Sequence, residues 1–409
     1  MNSFTLPNGL TVYLLPSDSP FTAVMLGYRV GAAHEKPSEA GMAHLLEHLL
    51  FEDDRIAYDS RLQAVGGSTN AYTGQDYTVY YARVPREAAM LALELEAERL
   101  FRLSISDEKV RIQQQVVAEE FRQRYLNPPY ADRLFHLSRA AFPDHPYQRM
   151  VIGETPEQIL DFTPEQVRAF YAAYYAPQYS VLCVAGGIEP DTETTIAKLY
   201  GESRTSKPLP SIPSVEELPS PTPFISIEAE VPQTAVFWAF RIPPLEHEDI
   251  PAIDLLDDYI GDETIGYLNR KIVQEKALAS RISSYVWQLH AGGLWLIEAY
   301  LTAGVSPEQY EAELQRALEA LIHERLEDAL RLYRPQKYLS LHRERERVLD
   351  KARASVHAHL AGHPEWYEDP ITPYEKVSLS DLQRVAQTYF SSERRVRLHY
   401  IPKSVGATG

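Results

Sequence analysis

The chain has 409 residues, one cysteine and a formal net charge of −17, with 44% apolar and 24% charged residues. This composition is typical of folded globular proteins and excludes a largely disordered chain. The acidic balance argues against a nucleic-acid binder, which would need a basic surface, and disfavours an anionic membrane as a partner. At about 150 residues per domain, the length predicts two or three domains.

The N-terminus and the cysteine content predict where the protein works. The first residues lack the basic start and apolar core of a signal peptide, and no run of about 18 apolar residues could span a membrane. Cys183 alone cannot form an internal disulfide, so the fold does not depend on an oxidising compartment. We therefore expect a cytoplasmic protein with no membrane and no nucleic acid among its partners.

Segments rich in β-branched and aromatic residues predict strands in the first half, at residues 9–15, 22–30 and 77–84. Amphipathic segments between them predict helices at residues 38–51 and 60–65. Ser38 has a side chain suited to cap the first of these helices.

A longer helix is predicted after residue 106. Ser106 is a good N-cap, and Asp107 and Glu108 follow it in the first turn, where the helix dipole favours acids. The helix can run to about Leu126, because the prolines at 128 and 129 end it. Neighbouring strands followed by longer helices indicate an α+β fold.

Residues 203–223 contain six prolines, which predicts an extended linker over residues 206–223. This linker separates a half at residues 1–205 from a half at residues 224–409. The halves resemble each other: residues 163–175 match 378–390, and MAHLLEHLLF (42–51) matches AIDLLDDYIG (252–261). Two similarities with nearly the same offset favour an internal duplication.

The most informative segment is His44-Leu45-Leu46-Glu47-His48. Histidines four apart on a helix project from one face, one turn apart, which suits two nitrogen ligands on one zinc ion. Glu47 projects beside them and could take a proton from a water that zinc activates. The alternative is a surface helix with scattered polar residues. The surrounding leucines argue against it, because they indicate a largely buried helix, in which imidazoles and a carboxylate need partners.

A catalytic zinc needs a third protein ligand. The helix after Ser106 contains Glu119 and Glu120, and adjacent glutamates differ by about 100° around a helix, so only one of them should reach the metal. The residues alone leave the choice between Glu119 and Glu120 open.

Several segments resemble the pitrilysin and insulin-degrading enzyme superfamily, in the branch of mitochondrial processing peptidase and its bacterial relatives. H-x-x-E-H, the inverted zincin motif, marks the inverzincins. The resemblance covers nearly the whole length and follows the order LPNGLTVYLLP, GAAHEKPSEAGMAHLLEHLLFED, VGGSTNAYTGQDYTVYYARVP, QQQVVAEEFRQRY and TPEQVRAFYAAYYAPQYSVLCVAGGI. It implies two duplicated halves that close as a clamshell, each a mostly antiparallel sheet packed with helices.

The resemblance also implies the roles of individual residues. His44, His48 and Glu120 would bind one zinc ion, with Glu119 as the fallback, and Glu47 would be the general base. Asn70 and Ala71 match the family's edge strand, which binds a peptide substrate by strand addition.

The sequence departs from the family pattern at three places, one near the predicted metal ligands and two in the second half. Gln113 replaces an acidic residue that is frequent seven positions before the metal-binding glutamate. Tyr267 and Ser280 stand where active members carry an arginine and a tyrosine. Asp254, Asp257 and Asp258 stand where the first half has its motif, so the second half should not bind zinc.

These observations predict a zinc-dependent endopeptidase acting on peptides or unfolded segments. The missing arginine and tyrosine predict that the chain is the zinc-bearing subunit of a heterodimer, with a paralogous partner that supplies them; a homodimer is the less favoured assembly. The alternative function is a non-catalytic scaffold or assembly subunit of the same fold. A second histidine cluster, His357, His359 and His363, is predicted to be a solvated segment rather than a metal site.

Overall fold

The computed structural model describes residues 2–53, 55–204, 206–216, 218, 222–323 and 326–403. The strands form two sheets, and helices pack against both. Among the described residues, no helix has the length and apolar character required to cross a bilayer.

Within the described ranges, the first sheet has six strands in the order β1-β2-β6-β3-β5-β4, in which β2 and β6 are parallel and the other pairs antiparallel. The strands are β1 (Asn2–Thr5), β2 (Thr11–Pro16), β3 (Phe21–Tyr28), β4 (Ser68–Thr73), β5 (Thr78–Pro85) and β6 (Ser180–Gly186). The strands predicted at 9–15, 22–30 and 77–84 are therefore confirmed as β2, β3 and β5, with small shifts at their ends.

The second sheet, as far as the chain is described, has five strands in the order β7-β11-β8-β10-β9, with only β7 and β11 parallel. The strands are β7 (Phe224–Ala229), β8 (Ala235–Ile242), β9 (Ala279–Leu289), β10 (Gly292–Leu301) and β11 (Arg395–Pro402). This order repeats that of the first sheet without β1. The predicted fold class, an α+β duplication with mostly antiparallel sheets, is confirmed.

The helices follow and interleave with these strands. They are α1 (Met42–Leu49), α2 (Tyr58–Ala64), α3 (Ala89–Phe101), α4 (Asp107–Phe121), α5 (Arg133–Ala141), α6 (Pro156–Leu160), α7 (Pro164–Tyr174), α8 (Thr192–Tyr200), α9 (Ile250–Gly261), α10 (Pro307–Leu321), α11 (Arg334–Arg343), α12 (Val348–Leu360), α13 (Glu365–Glu368), α14 (Thr372–Glu375) and α15 (Leu379–Tyr389). π-Helical turns occur at Arg122–Leu126, Asn269–Gln274 and Ala329–Tyr333.

The predicted N-cap residues give the correct start for one helix and the wrong start for another. Ser106 caps α4 by accepting a hydrogen bond from the Lys109 N–H at 3.4 Å, as predicted. The prediction that Ser38 caps the motif helix is wrong: Ser38 lies in a separate 3₁₀ turn, and α1 begins at Met42. Gly41 precedes α1 at φ +93°, and a Cβ there would lie 2.4 Å from the Ile159 Cδ1 atom. Tertiary packing therefore places the start of α1.

The chain divides into two compact units. The first unit comprises Met1–Gln123, Arg149–Ile212 and Leu341–Asp369, and the second comprises Arg124–Gln148, Pro213–Ser340 and Pro370–Gly409. These units differ from the predicted halves, residues 1–205 and 224–409, because each includes a segment from the other half. The change of unit after Ile212 falls inside the predicted linker, residues 206–223.

The segment that each unit includes from the other half contains a helix that covers a face of a sheet. In the first unit α12 packs on β3 and β6, where Val356 and Leu360 join a core that includes Met25 and Cys183. In the second unit α5 packs on β8 and β11. An apolar sheet face needs a cover, but the local pattern of a helix does not encode which sheet it will cover.

Candidate metal centre

Helix α1 presents the motif from a buried support. Leu45, Leu46 and Leu49 are fully buried, which fixes the orientation of the helix. The His44 and His48 side chains, 11% and 23% exposed, emerge one turn apart, with ring centroids 4.9 Å from each other. The predicted same-face arrangement of the two imidazoles is confirmed.

Helix α4 packs against α1 and brings a carboxylate to these imidazoles. The Glu120 Oε2 atom lies 3.3 Å from His48 Nε2, and Oε1 lies 3.9 Å from His44 Nε2. Glu119 is 55% exposed, and its carboxylate accepts a hydrogen bond from Gln123 at 2.9 Å. Of the two glutamates that the sequence left open, the structure therefore places Glu120 beside the histidines.

The three side chains fit a divalent metal. One ligand atom from each of His44, His48 and Glu120 lies within 4.8 Å of the others. Ligand atoms bound tetrahedrally to zinc at its usual bond lengths are about 3.3 Å apart, so the spacing needs little adjustment. Two imidazoles and one carboxylate are also a donor set that leaves a fourth position open for catalysis. Among the described residues, no other group of three such side chains is this close.

The local field favours positive charge at this position. Burial lowers the pKa of His48, but the hydrogen bond and the charge of Glu120 outweigh burial and raise the pKa above its ordinary value. Gln113 also hydrogen-bonds to His48, and its amide lies 3.4 Å from the Glu52 Oε1 atom. Gln113 thus contacts a predicted ligand although it is not acidic.

Two buried residues hold the ends of α1. At its start, the Glu35 carboxylate accepts the Gly41 and Ala43 N–H groups at 2.9 and 2.7 Å, and burial raises the pKa of Glu35 to about 8 against these bonds. After its end, the Arg99 Nε donates to the Leu50 carbonyl at 3.3 Å. The Glu35 carboxyl thus satisfies N–H groups that the first turn leaves unbonded, and the Arg99 cation at the other end matches the helix dipole. Sequence reasoning missed both, although an acid shortly before a helix is a usable signal.

Glu47 is close enough to His48 for its charge to raise the pKa of that imidazole, and it contacts strand β4. Its Oε2 atom accepts a hydrogen bond from the Thr73 hydroxyl at 2.5 Å. Thr73 is the last residue of β4, in a segment that the sequence singled out without giving this residue a role. The predicted base therefore has a partner from the neighbouring sheet.

Strand β4 is an edge strand, because within the described part of the chain it pairs with β5 alone. Asn70 is exposed and Ala71 is half-buried. The Asn70 side-chain oxygen accepts a hydrogen bond from the Ala71 N–H at 2.9 Å. An edge of this kind can pair with an extended peptide, so both residues predicted to bind substrate lie on a suitable element.

The second histidine cluster differs from its prediction. His357 and His359 lie on α12 and are partly buried, bonded to the Tyr72 hydroxyl at 2.7 Å and the Tyr13 hydroxyl at 3.0 Å. The prediction of a solvated segment is wrong for these two residues, because α12 packs its face against the first sheet. Burial, together with the charge of Arg353, lowers the pKa of His357 to about 4.

The departures in the second half are engaged in their own unit. Tyr267 is fully buried and donates to the Ala317 carbonyl at 2.8 Å. Ser280 donates to the Tyr300 carbonyl at 3.1 Å. The nearby Arg281 pairs with Glu263 at 2.6 Å. All three side chains therefore have polar partners within the second unit.

Comparison with known proteins agrees with this architecture. Residues 12–155 match the family described as Insulinase (Peptidase family M16), and residues 161–331 match the Peptidase M16 inactive domain. The zinc protease PqqE of Helicobacter pylori is 26% identical over 422 residues, covering 98% of this chain and 92% of that protein.

Solved structures share the fold. A protease from Helicobacter pylori superimposes with a TM-score of 0.90 at 25% identity, covering 98% of this chain and 99% of that one. A peptidase M16 inactive domain from Pseudomonas fluorescens gives a TM-score of 0.86 at 18% identity, covering 98% of each chain. Two matched family domains, relatives named zinc proteases and a shared fold together show that this chain belongs to the pitrilysin/insulinase superfamily, peptidase family M16.

Proposed function

We propose that the chain is a zinc-dependent endopeptidase that hydrolyses peptides or unfolded polypeptide segments. The observation that carries this proposal is the convergence of His44, His48 and Glu120 from two helices. The Glu47 carboxylate acts electrostatically on His48 from the same helix. The relatives named zinc proteases support the same metal, and the proposal assigns one ion to each chain.

Each side chain has a distinct task in the proposed reaction. His44, His48 and Glu120 would hold the zinc ion, which would supply a Lewis acid for the scissile carbonyl and lower the pKa of a water to about 7. Glu47 accepts a proton from the attacking water and delivers one to the leaving amine. Asn70 and Ala71 hold the substrate as an added strand on β4, so that main-chain bonds give affinity and side-chain contacts give selectivity.

We further propose that the enzyme works as one subunit of a two-chain peptidase. Tyr267 and Ser280 replace an arginine and a tyrosine, and Arg281 is already paired with Glu263. A paralogous partner would supply the missing pair, and a homodimer is the weaker alternative because both copies would lack it. Size-exclusion chromatography with and without a candidate paralogue tests this; full activity of the isolated chain would contradict it.

The two adjacent glutamates provide a matched test of the metal site. Glu120→Gln should lose zinc and peptide cleavage, whereas Glu119→Gln should keep both, because only Glu120 lies beside the imidazoles. Bound zinc is measured by elemental analysis, and cleavage by a quenched fluorescent peptide with chelator and with added zinc, in the presence and absence of the partner. Equal zinc content in the two variants would refute the assignment.

A Glu47→Gln variant separates metal binding from catalysis. It should retain zinc but lose about 10²- to 10⁴-fold in cleavage rate, the usual contribution of a general base. The rival function, a non-catalytic scaffold, has some support because residues 161–331 match a domain described as inactive. A wild-type chain that binds no zinc and cleaves no peptide, even with its partner, would favour that rival.

A further inference from the structure

The strongest unassigned feature near the metal centre is the hydrogen bond between Thr73 and Glu47. It joins the last residue of edge strand β4 to the motif helix α1, two elements separated in sequence by α2. At 2.5 Å it lies at the short end of the range for a hydroxyl that donates to a carboxylate. Glu47 is the residue that must hold one orientation for proton transfer.

A glutamate on a helix surface has three rotatable side-chain bonds and needs a partner to hold one carboxylate orientation. Thr73 can supply that partner because β-branching restricts its first side-chain torsion and because its backbone pairs with Thr78 on β5. The hydroxyl binds Oε2, so a hydrogen bond from β4 holds one oxygen of the carboxylate in a defined position.

The opposite face of β4 holds the strand in place. The preceding residue, Tyr72, hydrogen-bonds through its hydroxyl to His357 at 2.7 Å, and its ring packs edge-on against Tyr77 and at a tilt against Tyr81. The donor to Glu47 therefore sits on a strand fixed from both sides. Catalytic groups work best when rigid neighbours hold them in productive geometry.

We propose that Thr73 is a positioning residue. Its hydroxyl orients the Glu47 carboxylate and links it to β4, the strand proposed to bind the substrate. This inference rests on the proposed function, since it assigns Glu47 the role of base. It predicts that removal of the Thr73 hydroxyl slows the chemical step without removing the metal or loosening the substrate.

The central experiment compares Thr73→Val, which keeps the shape but not the donor, with Thr73→Ser, which keeps the donor. In the assembled enzyme, Thr73→Val should lower kcat about 10- to 100-fold, the usual cost of losing a partner that orients a site residue, with KM changed by less than about twofold. Thr73→Ser should recover most of this loss. Zinc affinity, measured by chelator competition, should be the same in both variants.

Ser284→Ala is a matched control in the second unit. Ser284 on β9 donates its hydroxyl to Asp257 on α9, as Thr73 donates to Glu47, but no imidazole accompanies Asp257 on that helix. Ser284→Ala should therefore leave kcat within about twofold of the wild type. If both variants lowered kcat equally, or if Thr73→Val lowered kcat only in proportion to lost zinc or lost folded protein, Thr73 would have a merely structural role.

A double-mutant cycle tests whether Thr73 acts through Glu47. Adding Thr73→Val to Glu47→Ala should cause no further loss of the residual rate, because the carboxylate to be oriented is absent. Independent losses that add would overturn the proposal.

A crystal structure gives a readout without activity. Thr73→Val should release the Glu47 carboxylate into another rotamer, and an unchanged Glu47 would overturn the proposal even if the wild type proved inactive. An inactive wild type with a released Glu47 in the variant would instead count against the proposed function alone.

Discussion

Helices α1 and α9 occupy corresponding places in the two repeats, each after the same strand of its sheet, yet they carry different chemistry. The first presents His44, Glu47 and His48, and the second, about 210 residues later, presents Asp254, Asp257 and Asp258. In both, the middle carboxylate accepts a hydroxyl from the edge strand, Thr73 in one case and Ser284 in the other. This helix-to-strand bond is therefore common to both repeats.

The third component differs between the repeats. Next to α1 it is the carboxylate of Glu120, whereas next to α9 it is the ammonium of Lys337, which lies 3.0 Å from Asp258 and 3.8 Å from Asp254. One repeat thus combines two imidazoles with an acid, a donor set for a metal. The other combines acids with a cation of its own, and this ammonium neutralises part of their charge. The same scaffold therefore supports either a candidate metal site or an ion-pair cluster, depending on the identity of four side chains.

The largest expected effect comes from substituting corresponding positions. His48→Ala should remove zinc and reduce peptide cleavage by at least about 10³-fold, because two ligands and an open site do not hold the metal for catalysis. Asp258→Ala, its counterpart in the second repeat, should retain zinc and activity. Elemental analysis and peptide cleavage on both purified variants check this, and loss of zinc from Asp258→Ala would break the comparison.

The second prediction concerns pH and Asp257. Burial is the main cause that raises the pKa of Asp257 to about 7 in the folded chain, against hydrogen bonds from Ser284 and Trp295. Between about pH 4 and pH 7 the folded state therefore keeps a proton that the unfolded state has lost. The stability from this group is complete below the unfolded pKa and is lost as pH rises through 7, with a slope of at most about 1.4 kcal/mol per pH unit.

Denaturant unfolding of wild type and Asp257→Asn across this range measures the effect. The variant should have a flatter dependence of unfolding free energy on pH and should gain stability relative to wild type at pH 8. Parallel curves for the two proteins would show that Asp257 does not titrate in this window.

Removing the Lys337 ammonium should lower the free energy of unfolding. Lys337→Met leaves the Asp254 and Asp258 carboxylates facing each other, and solvent reaches Asp258, which is 38% exposed, so the cost should be about 2 kcal/mol at pH 8 rather than that of a fully buried pair. Adding Asp258→Asn should restore part of the loss. Lys198→Met, at an exposed site on α8, is the control and should stay within about 0.5 kcal/mol of wild type.

The smallest expected effect concerns the turn before each edge strand. Gly66, before β4, has φ +75°, and Ala277, before β9, has φ +52°. Left-handed backbone is costly for residues with a Cβ, so Ala277→Gly should stabilise the protein by about 1 kcal/mol. Gly66→Ala should destabilise it by a similar amount, since a Cβ there meets only Pro85 at 3.8 Å and the cost comes from φ alone. Thermal unfolding of both variants checks the opposite signs.

Much of the candidate site could be predicted because its signals are local. Residues four apart on a helix share a face whatever surrounds them, so His44 and His48 could be paired from spacing alone. The start of α4 could be predicted from Ser106, because an N-cap involves only that residue and the first turn of the helix. The start of α1 could not be found in this way, because Glu35 and the packing around Gly41 fix it.

The sequence by itself determined the alternation of strands and helices, the duplication, the two imidazoles and the carboxylate between them, because periodicity and spacing act over a few residues. Only the tertiary structure decided that Glu120 rather than Glu119 lies beside the histidines, that Thr73 donates to Glu47, and that α5 and α12 each pack in the unit built mainly from the other half. These outcomes depend on the rotation of one element against another. That rotation is set by the burial of apolar surface between distant segments, and no local pattern encodes it.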